Sequence, residues 1–147
     1  MDISEFNEIV ENVYLGSYDG IFTKDFKKLD ITHIVSIAPE EETPYKNISN
    51  LTSNIIKYRF PITSRLTVDN CVQIIKTVGE LLNELKKDNS NRIYIHCYEG
   101  VSRSAACVYY YLDKYTHIYK NNVMEYMLSK RPNINLNEKM KECISKL

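Results

Sequence analysis

The fold is decided by an apolar stretch and the turn after it, Arg92-Ile93-Tyr94-Ile95-His96-Cys97 and Tyr98-Glu99-Gly100-Val101-Ser102-Arg103-Ser104. The first stretch is rich in β-branched and aromatic residues, which predicts a buried β-strand. The largely apolar residues from Ser104 to Tyr115 predict a buried helix. A strand that passes through a short turn into a helix is typical of α/β domains with a parallel sheet.

The rest of the chain continues this alternation of strands and helices. Residues 39–54 are polar and contain two prolines, which predicts a solvated loop. Ligands of such sheets bind beyond the carboxyl ends of the strands, which directs attention to the turn after Cys97. The pattern favours a single α/β domain over residues 1–147 with a mostly parallel sheet. Strands are predicted at 12–16, 32–38, 55–60 and 92–97, and helices at 18–30, 69–87, 104–115, 121–131 and 137–146.

Composition and charge exclude several classes of protein. Hydrophobic residues make up 44% of the 147 residues and charged residues 26%, as in a globular domain. Lys plus Arg and Asp plus Glu both number 19, which weighs against nucleic acid or an anionic membrane as partner. No apolar run approaches the roughly 18 residues of a spanning helix, and the start of the chain is acidic rather than basic. We therefore expect a cytoplasmic protein whose four cysteines are free thiols.

The turn after Cys97 has the composition of an anion cradle. Backbone N–H groups of a short loop that leads into a helix converge on one point, where the positive end of the helix adds to them. Gly100 permits the positive φ that such a loop needs. Arg103 offers a planar fork of donors that matches two oxygens of a phosphate. A phosphate site is therefore predicted here.

Cys97 lies at the mouth of this cradle, where we expect it to be a nucleophile. Converging dipoles and a guanidinium lower a cysteine pKa from about 8.5 to roughly 3.5–7.5, which favours the thiolate. Ser104 can donate a hydrogen bond to the sulfur and help it leave when water hydrolyses a phosphocysteine. We expect His96 to fix the loop through hydrogen bonds and not to act as a base, because an ionised thiol needs none.

The turn resembles the signature loop of cysteine-dependent protein phosphatases, His-Cys-x-x-Gly-x-x-Arg followed by Ser or Thr. The segments 12–17, 31–36 and 130–133 resemble the small dual-specificity branch of that superfamily. The resemblance implies a five-stranded, mostly parallel sheet flanked by helices, a phosphorylated protein as substrate, and neither metal nor organic cofactor. It also implies that Cys97 is the nucleophile. The residues that it assigns to phosphate binding are Tyr98, Glu99, Gly100, Val101, Ser102 and Arg103.

The sequence departs from this family at the general acid. The family places an aspartate a few residues after the strand that ends here at Pro61, where this chain has Ser64 or Arg65. The first acidic residue is Asp69. Either Asp69 caps the helix that follows and plays no chemical part, or the loop is rearranged so that Asp69 serves as the general acid. We favour the first reading, which predicts a weakened acid step.

The favoured function is hydrolysis of phosphotyrosine, and of phosphoserine and phosphothreonine, in proteins. One alternative is an RNA 5′-triphosphatase, whose good leaving group needs no acid, although Glu99 and the zero net charge disfavour a polyanion. A second alternative is a phosphate-binding module with little turnover, which the joint presence of Cys97, Arg103 and Ser104 disfavours. We also predict that Asn137 ties the closing helices to the loop.

Overall fold

The computed structural model describes residues 4–118 and 120–147. A five-stranded sheet forms the centre, and five α-helices flank it. The strands are β1 (Phe6–Val10), β2 (Val13–Gly16), β3 (His33–Ser36), β4 (Ile56–Arg59) and β5 (Ile93–His96), and the helices are α1 (Lys24–Lys28), α2 (Val68–Leu85), α3 (Arg103–Tyr115), α4 (Val123–Lys130) and α5 (Glu138–Ser145).

The strand order is β1-β2-β5-β3-β4, and β2, β5, β3 and β4 are mutually parallel. This confirms the predicted α/β fold with its mostly parallel sheet. The prediction from residue patterns missed β1, which pairs antiparallel with β2 at the edge of the sheet. Its sequence mixes polar and apolar residues, and its pairing with a distant partner is not visible in local periodicity.

Alternate residues of the strands face two separate apolar layers. Ile93 and Ile95 of β5 pack with α2 to α5, whereas Tyr94 between them packs with Phe26 of α1 on the opposite face. This alternation follows from the pleat of a strand, because successive side chains point to opposite faces. Both faces of β5 are therefore covered, which explains why Ile93, Tyr94 and Ile95 are all largely apolar.

Two predicted helices differ in detail from the structure. The predicted helix at 18–30 is a 3-10 turn at Asp19–Phe22 followed by α1, because Thr23 between them has extended backbone. Asp69 is not the cap of α2: Thr67 is the N-cap, and its hydroxyl accepts a hydrogen bond from the backbone N–H of Asn70 at 3.1 Å. The prediction that Asp69 caps the helix is therefore wrong, and Asp69 lies in the first turn.

The topology brings the ends of several strands to one edge of the sheet. Because β5 lies between β2 and β3 and runs parallel to both, the turn after β5 meets the segments after β3 and β4. Those segments are residues 37–55 and 60–67. No helix in the described part of the chain is long and apolar enough to cross a membrane.

Candidate active site

In the turn between β5 and α3, the carbonyl groups of residues 98–101 point outward and accept hydrogen bonds from neighbouring parts of the protein. The peptide bonds are trans, so a C=O that points outward directs the next residue's N–H inward. The N–H groups of residues 99–102 are therefore directed toward the inside of the turn, where they can bind an anion. The outward bonds are Tyr18 N–H to Tyr98 O at 2.9 Å, Arg131 Nη2 to Glu99 O at 3.2 Å, Arg131 Nε to Gly100 O at 3.0 Å and Asn135 N–H to Val101 O at 2.9 Å.

Gly100 is required at the centre of this turn. Its φ is +72°, which side chains disfavour, and an added Cβ would collide with the backbone of Gly16. Its N–H donates to the Sγ of Cys97 at 3.3 Å. The close packing of β2 against the loop thus depends on the absence of a side chain.

The Cys97 thiol is held inside the turn with 3% of the residue exposed. Its Sγ lies 3.2 Å from the hydroxyl of Ser104, in the first turn of α3. Burial raises the pKa of the thiol, but hydrogen bonds from the Ser104 hydroxyl and N–H, the Arg103 charge and the Gly100 N–H together lower it below its ordinary value. The surroundings of Cys97 therefore favour the thiolate.

Arg103 extends across the site to the opposite wall. Its Nη1 donates to Glu42 Oε2 at 3.2 Å and to the carbonyl of Ile62 at 3.0 Å, and its Nη2 donates to Glu42 Oε1 at 2.7 Å. The carboxylate of Glu42 thus holds the end of the guanidinium in a two-point contact. The Nε–H takes no part in these three contacts and can bind a ligand, and the guanidinium also interacts with the Cys97 sulfur.

Glu42 was not predicted as a site residue, because the acidic run Glu40-Glu41-Glu42 belongs to a segment that we predicted to be a solvated loop. The structure shows that Arg59 at the end of β4 orders this segment. Its Nη1 donates to Ala38 O at 2.6 Å, its Nη2 to Thr43 O at 2.7 Å, and its guanidinium lies 4.1 Å from the centre of the Tyr45 ring. No local pattern in the sequence pairs Arg59 with residues 38–45.

His96 is fully buried beneath the turn. Its Nδ1 lies 2.8 Å from the carbonyl of Cys97, and its Nε2 lies 2.7 Å from the hydroxyl of Ser36. Because a carbonyl only accepts, Nδ1 carries the proton and Nε2 accepts from Ser36. Burial lowers the pKa of His96 to about 4, so the ring is neutral near pH 7. A neutral ring with both nitrogens engaged positions the loop and has no free lone pair to act as a base.

A cavity of about 320 Å³ opens beside Arg103. Cys97 does not line it, but Arg103, which begins α3 directly after the turn, does. Lys139 of α5 holds one wall in place by donating from Nζ to the carbonyls of Ser64 and Leu66 at 2.7 and 2.6 Å. The lining residues are Glu42, Ile62, Thr63, Ser64, Arg103, Asn137, Lys139 and Met140.

The structure does not bring Asp69 into this cavity. Its side chain is 88% exposed, and its carboxylate lies 3.8 Å from Nζ of Lys146. Arg65 is also exposed and absent from the lining. Glu42 is the one carboxylate among the lining residues, all of which fall in the described part of the chain.

Contacts from the segment after α4 complete the loop. The backbone N–H of Asn137 donates to the Ser102 hydroxyl at 3.0 Å, which confirms the predicted tie to the closing helices. Arg131, whose two loop contacts are given above, was not predicted as a site residue. Its position beside Pro132 at the end of a helix signals a break in structure but not a buried guanidinium.

The described residues 4–118 and 120–147 contain no group of three His, Cys, Asp or Glu side chains placed to hold a metal ion. The groups that the turn brings together are a thiol, backbone N–H groups and a guanidinium. Together these groups can bind a tetrahedral anion and direct a thiolate at its centre.

A strand, a cysteine in an amide-lined turn and an arginine at the start of the next helix define the class of phosphatases that use a cysteine nucleophile. The sequence-family model of the dual specificity phosphatase catalytic domain matches residues 13–146. The chain belongs to this family.

Two curated relatives are similar to most of this chain. A probable dual specificity protein phosphatase of Dictyostelium discoideum is 34% identical over 132 residues, which is 88% of this chain and 45% of that protein. A probable rhodanese domain-containing dual specificity protein phosphatase of the same organism is 29% identical over 133 residues, which is 89% of this chain and 26% of that protein. This chain therefore spans less than half of either relative.

Solved structures show the same fold. The human tyrosine phosphatase-like serine/threonine/tyrosine-interacting protein superposes with a TM-score of 0.76 at 20% identity, over 97% of this chain and 95% of that one. DUSP15 superposes with a TM-score of 0.77 at 24% identity, over 97% and 86%. The five-stranded sheet and its helices are thus those of dual specificity phosphatases.

Proposed function

We propose that the chain is a protein phosphatase that hydrolyses phosphotyrosine, phosphoserine and phosphothreonine through a phosphocysteine on Cys97. The observation that carries the proposal is the position of the Cys97 sulfur, within hydrogen-bond distance of Ser104 and of the Gly100 N–H in a turn whose carbonyls are bonded outward. This arrangement favours both an anionic sulfur and a bound tetrahedral anion. Membership of the dual specificity phosphatase family supports it.

The reaction has two phosphoryl transfers. The Cys97 thiolate attacks phosphorus, an S–P bond forms, and the P–O bond to the substrate oxygen breaks with its electron pair on that oxygen. Water then attacks the phosphocysteine, the S–P bond breaks, and inorganic phosphate leaves. The Ser104 hydroxyl, 3.2 Å from Sγ, stabilises the thiolate that this second step releases.

Arg103 binds the phosphate through the side of its guanidinium. Glu42 occupies the end formed by Nη1 and Nη2, which leaves the Nε–H and a second hydrogen on Nη2 for two phosphate oxygens. Glu42 therefore fixes the plane of the guanidinium without taking the donors that substrate needs. The charge on Arg103 stabilises the transferring phosphoryl group.

Protonation of the leaving oxygen is the weak step. The segment 60–67 contains no carboxylate, and Asp69 is exposed on α2. Both side-chain oxygens of Glu42 are engaged by Arg103. Turnover on substrates with basic leaving groups then proceeds without a positioned acid, which typically contributes 10²–10⁴-fold.

Phosphorylated protein is favoured over triphosphate-ended RNA as substrate. Glu42 lines the cavity, Glu99 lies in the turn, and the net charge of the chain is zero. These features oppose the multiple phosphate contacts by which proteins hold nucleic acid.

The test compares phosphotyrosine peptide, phosphothreonine peptide, an aryl phosphate and triphosphate-ended RNA as substrates. Wild type and Cys97→Ser are assayed beside Cys143→Ser, which replaces another buried thiol, on α5. We expect release of phosphate from both peptides, its loss in Cys97→Ser and its retention in Cys143→Ser. Phosphate release from RNA alone, or binding of phosphopeptide without turnover in wild type, would overturn the proposal.

A further inference from the structure

The segment that follows α4 packs along the outer side of the phosphate-binding turn and is hydrogen-bonded to it. Over residues 131–137 it donates hydrogen bonds to Glu99, Gly100, Val101 and Ser102 in succession. Two of the four bonds come from one side chain, that of Arg131. The outward orientation of the Glu99 and Gly100 carbonyls therefore depends on Arg131, which lies 32 and 31 residues further along the chain.

Arg131 is 1% exposed, which is unusual for an arginine. All its partners are neutral oxygens: the carbonyls of Glu99 and Gly100, the carbonyl of Ser4 at 2.9 Å, and Oδ1 of Asn7 at 2.8 Å. Within residues 4–118 and 120–147 no carboxylate lies within 4.0 Å of its guanidinium. Burial lowers the pKa of the guanidinium, whereas Tyr94, Glu5 and Cys97 act electrostatically to raise it.

We propose that Arg131 is a positioning residue, which holds the Glu99 and Gly100 carbonyls outward so that the next two N–H groups face the phosphate. Its charge, which no carboxylate contacts directly, acts on Cys97 as well as on Glu5 and so also favours an anion inside the turn, whether the Cys97 thiolate or a bound phosphate. The inference rests on the proposed function, since it assigns a role within the same site. Arg131 acts through the loop and does not touch the reacting atoms.

The contacts to Ser4 and Asn7 extend this role to the edge of the sheet. They anchor the far end of the guanidinium to β1 and the residues before it. The orientation of the loop carbonyls therefore depends on the pairing of β1 with β2. Removing the Asn7 amide alone should loosen the loop less than replacing Arg131, because Ser4 O and both loop carbonyls remain bonded.

Two substitutions separate geometry from charge. Arg131→Lys keeps the charge, but a single ammonium on a flexible stem cannot reproduce the fixed fork of donors. Arg131→Met removes both. Arg92→Lys is the matched control, because Arg92 is a partly buried arginine that binds Asn12 and Tyr14 on the amino-terminal side of the sheet. Asn7→Ala serves as the mild variant if Arg131→Met does not fold.

Two readouts report on the loop itself. One is the dissociation constant of tungstate, an inorganic oxyanion, measured by calorimetry. The other is the pKa of the Cys97 thiol, from the pH dependence of its alkylation by iodoacetamide, followed by mass spectrometry of the Cys97 peptide. The second readout needs no substrate, so it tests Arg131 even if wild type binds no oxyanion, a result that would count against the proposed function instead.

We expect Arg131→Lys to weaken tungstate binding at least about tenfold and to raise the Cys97 pKa, with larger changes of the same sign in Arg131→Met. Asn7→Ala should shift both values in the same direction by a smaller amount. Arg92→Lys should leave both within about twofold of wild type. Folded Arg131 variants with the tungstate affinity and Cys97 pKa of wild type would overturn the inference, as would equal changes in Arg92→Lys.

Discussion

Arg103 and Glu42 meet end to end: Nη2 lies 2.7 Å from Oε1 and Nη1 lies 3.2 Å from Oε2. Their side chains are 18% and 38% exposed, so the contact is partly shielded from solvent. The pair joins the start of α3 to the segment after β3, which Arg59 holds in place. The arginine proposed to bind phosphate is thus oriented before substrate arrives, which lowers the entropic cost of binding.

Replacing Glu42 should weaken phosphate binding overall. The loss of a fixed Arg103 should outweigh the relief of repulsion between the Glu42 carboxylate and the phosphate. In Glu42→Ala the guanidinium loses its two-point contact and can adopt several orientations, so we expect kcat/KM for an aryl phosphate to fall about tenfold, mainly through KM. Steady-state kinetics measures this change. Glu41→Gln, one residue earlier and exposed, is the control and should be neutral. An increase of kcat/KM in Glu42→Ala would instead mean that Glu42 competes with substrate for Arg103.

The exposed position of Asp69 predicts that it takes no part in chemistry. We expect Asp69→Asn to retain activity within about threefold on phosphotyrosine peptide, because general acids typically contribute 10²–10⁴-fold. A series of aryl phosphates should show kcat/KM falling steeply as the leaving-group pKa rises. A loss of a hundredfold or more in Asp69→Asn, or a flat leaving-group series, would show that a positioned acid exists.

The contact between Ser104 and the sulfur predicts a change of rate-limiting step. Without the hydroxyl, the pKa of Cys97 should rise and the sulfur should be a poorer leaving group from phosphocysteine. We expect Ser104→Ala to show a burst of phenol release close to one equivalent, followed by a slow steady state, in rapid-mixing experiments. Ser145→Ala, an exposed serine on α5, is the control. Identical burst amplitudes and steady-state rates in wild type and Ser104→Ala would contradict this role.

The buried His96 predicts that stability declines in mild acid. Its pKa is lowered from 6.5 to about 4, so the unfolded chain takes up a proton below pH 6.5 that the folded chain refuses until about pH 4. The free energy of unfolding should therefore be unaffected by this group above pH 6.5 and should fall by about 1.4 kcal/mol per pH unit toward pH 4.

Urea titrations from pH 4.5 to 7 measure this slope. His96→Asn should lose that part of the pH dependence even if it is less stable at every pH. The carboxylates titrate in both proteins, so the difference between the two slopes reports on His96 alone. His33, whose pKa burial also lowers, is the matched position for comparison. Equal slopes in wild type and His96→Asn would show that His96 does not titrate in this window.

Most of the architecture could be predicted from local patterns. The continuous apolar run before Cys97 and the helical periodicity of 69–87 each reflect burial that a single element requires. The missed strand β1 and the misassigned cap of α2 have other causes. Pairing of an edge strand is a long-range choice, and Thr67 and Asp69 are both capable caps whose selection depends on where the chain leaves the preceding turn.

The sequence by itself determined the nucleophile candidate, its loop and the absence of an aspartate between Pro61 and Val68, because these follow from residue type and spacing over a few positions. Only the tertiary structure decided which distant groups orient that loop: Glu42 against Arg103, Ser36 against His96, and Arg131 against the carbonyls of residues 99 and 100. These partners lie on separate elements, and they meet only because parallel strands bring their carboxyl ends to one edge and the helices pack against it. No periodicity or motif in one stretch of chain encodes such a meeting.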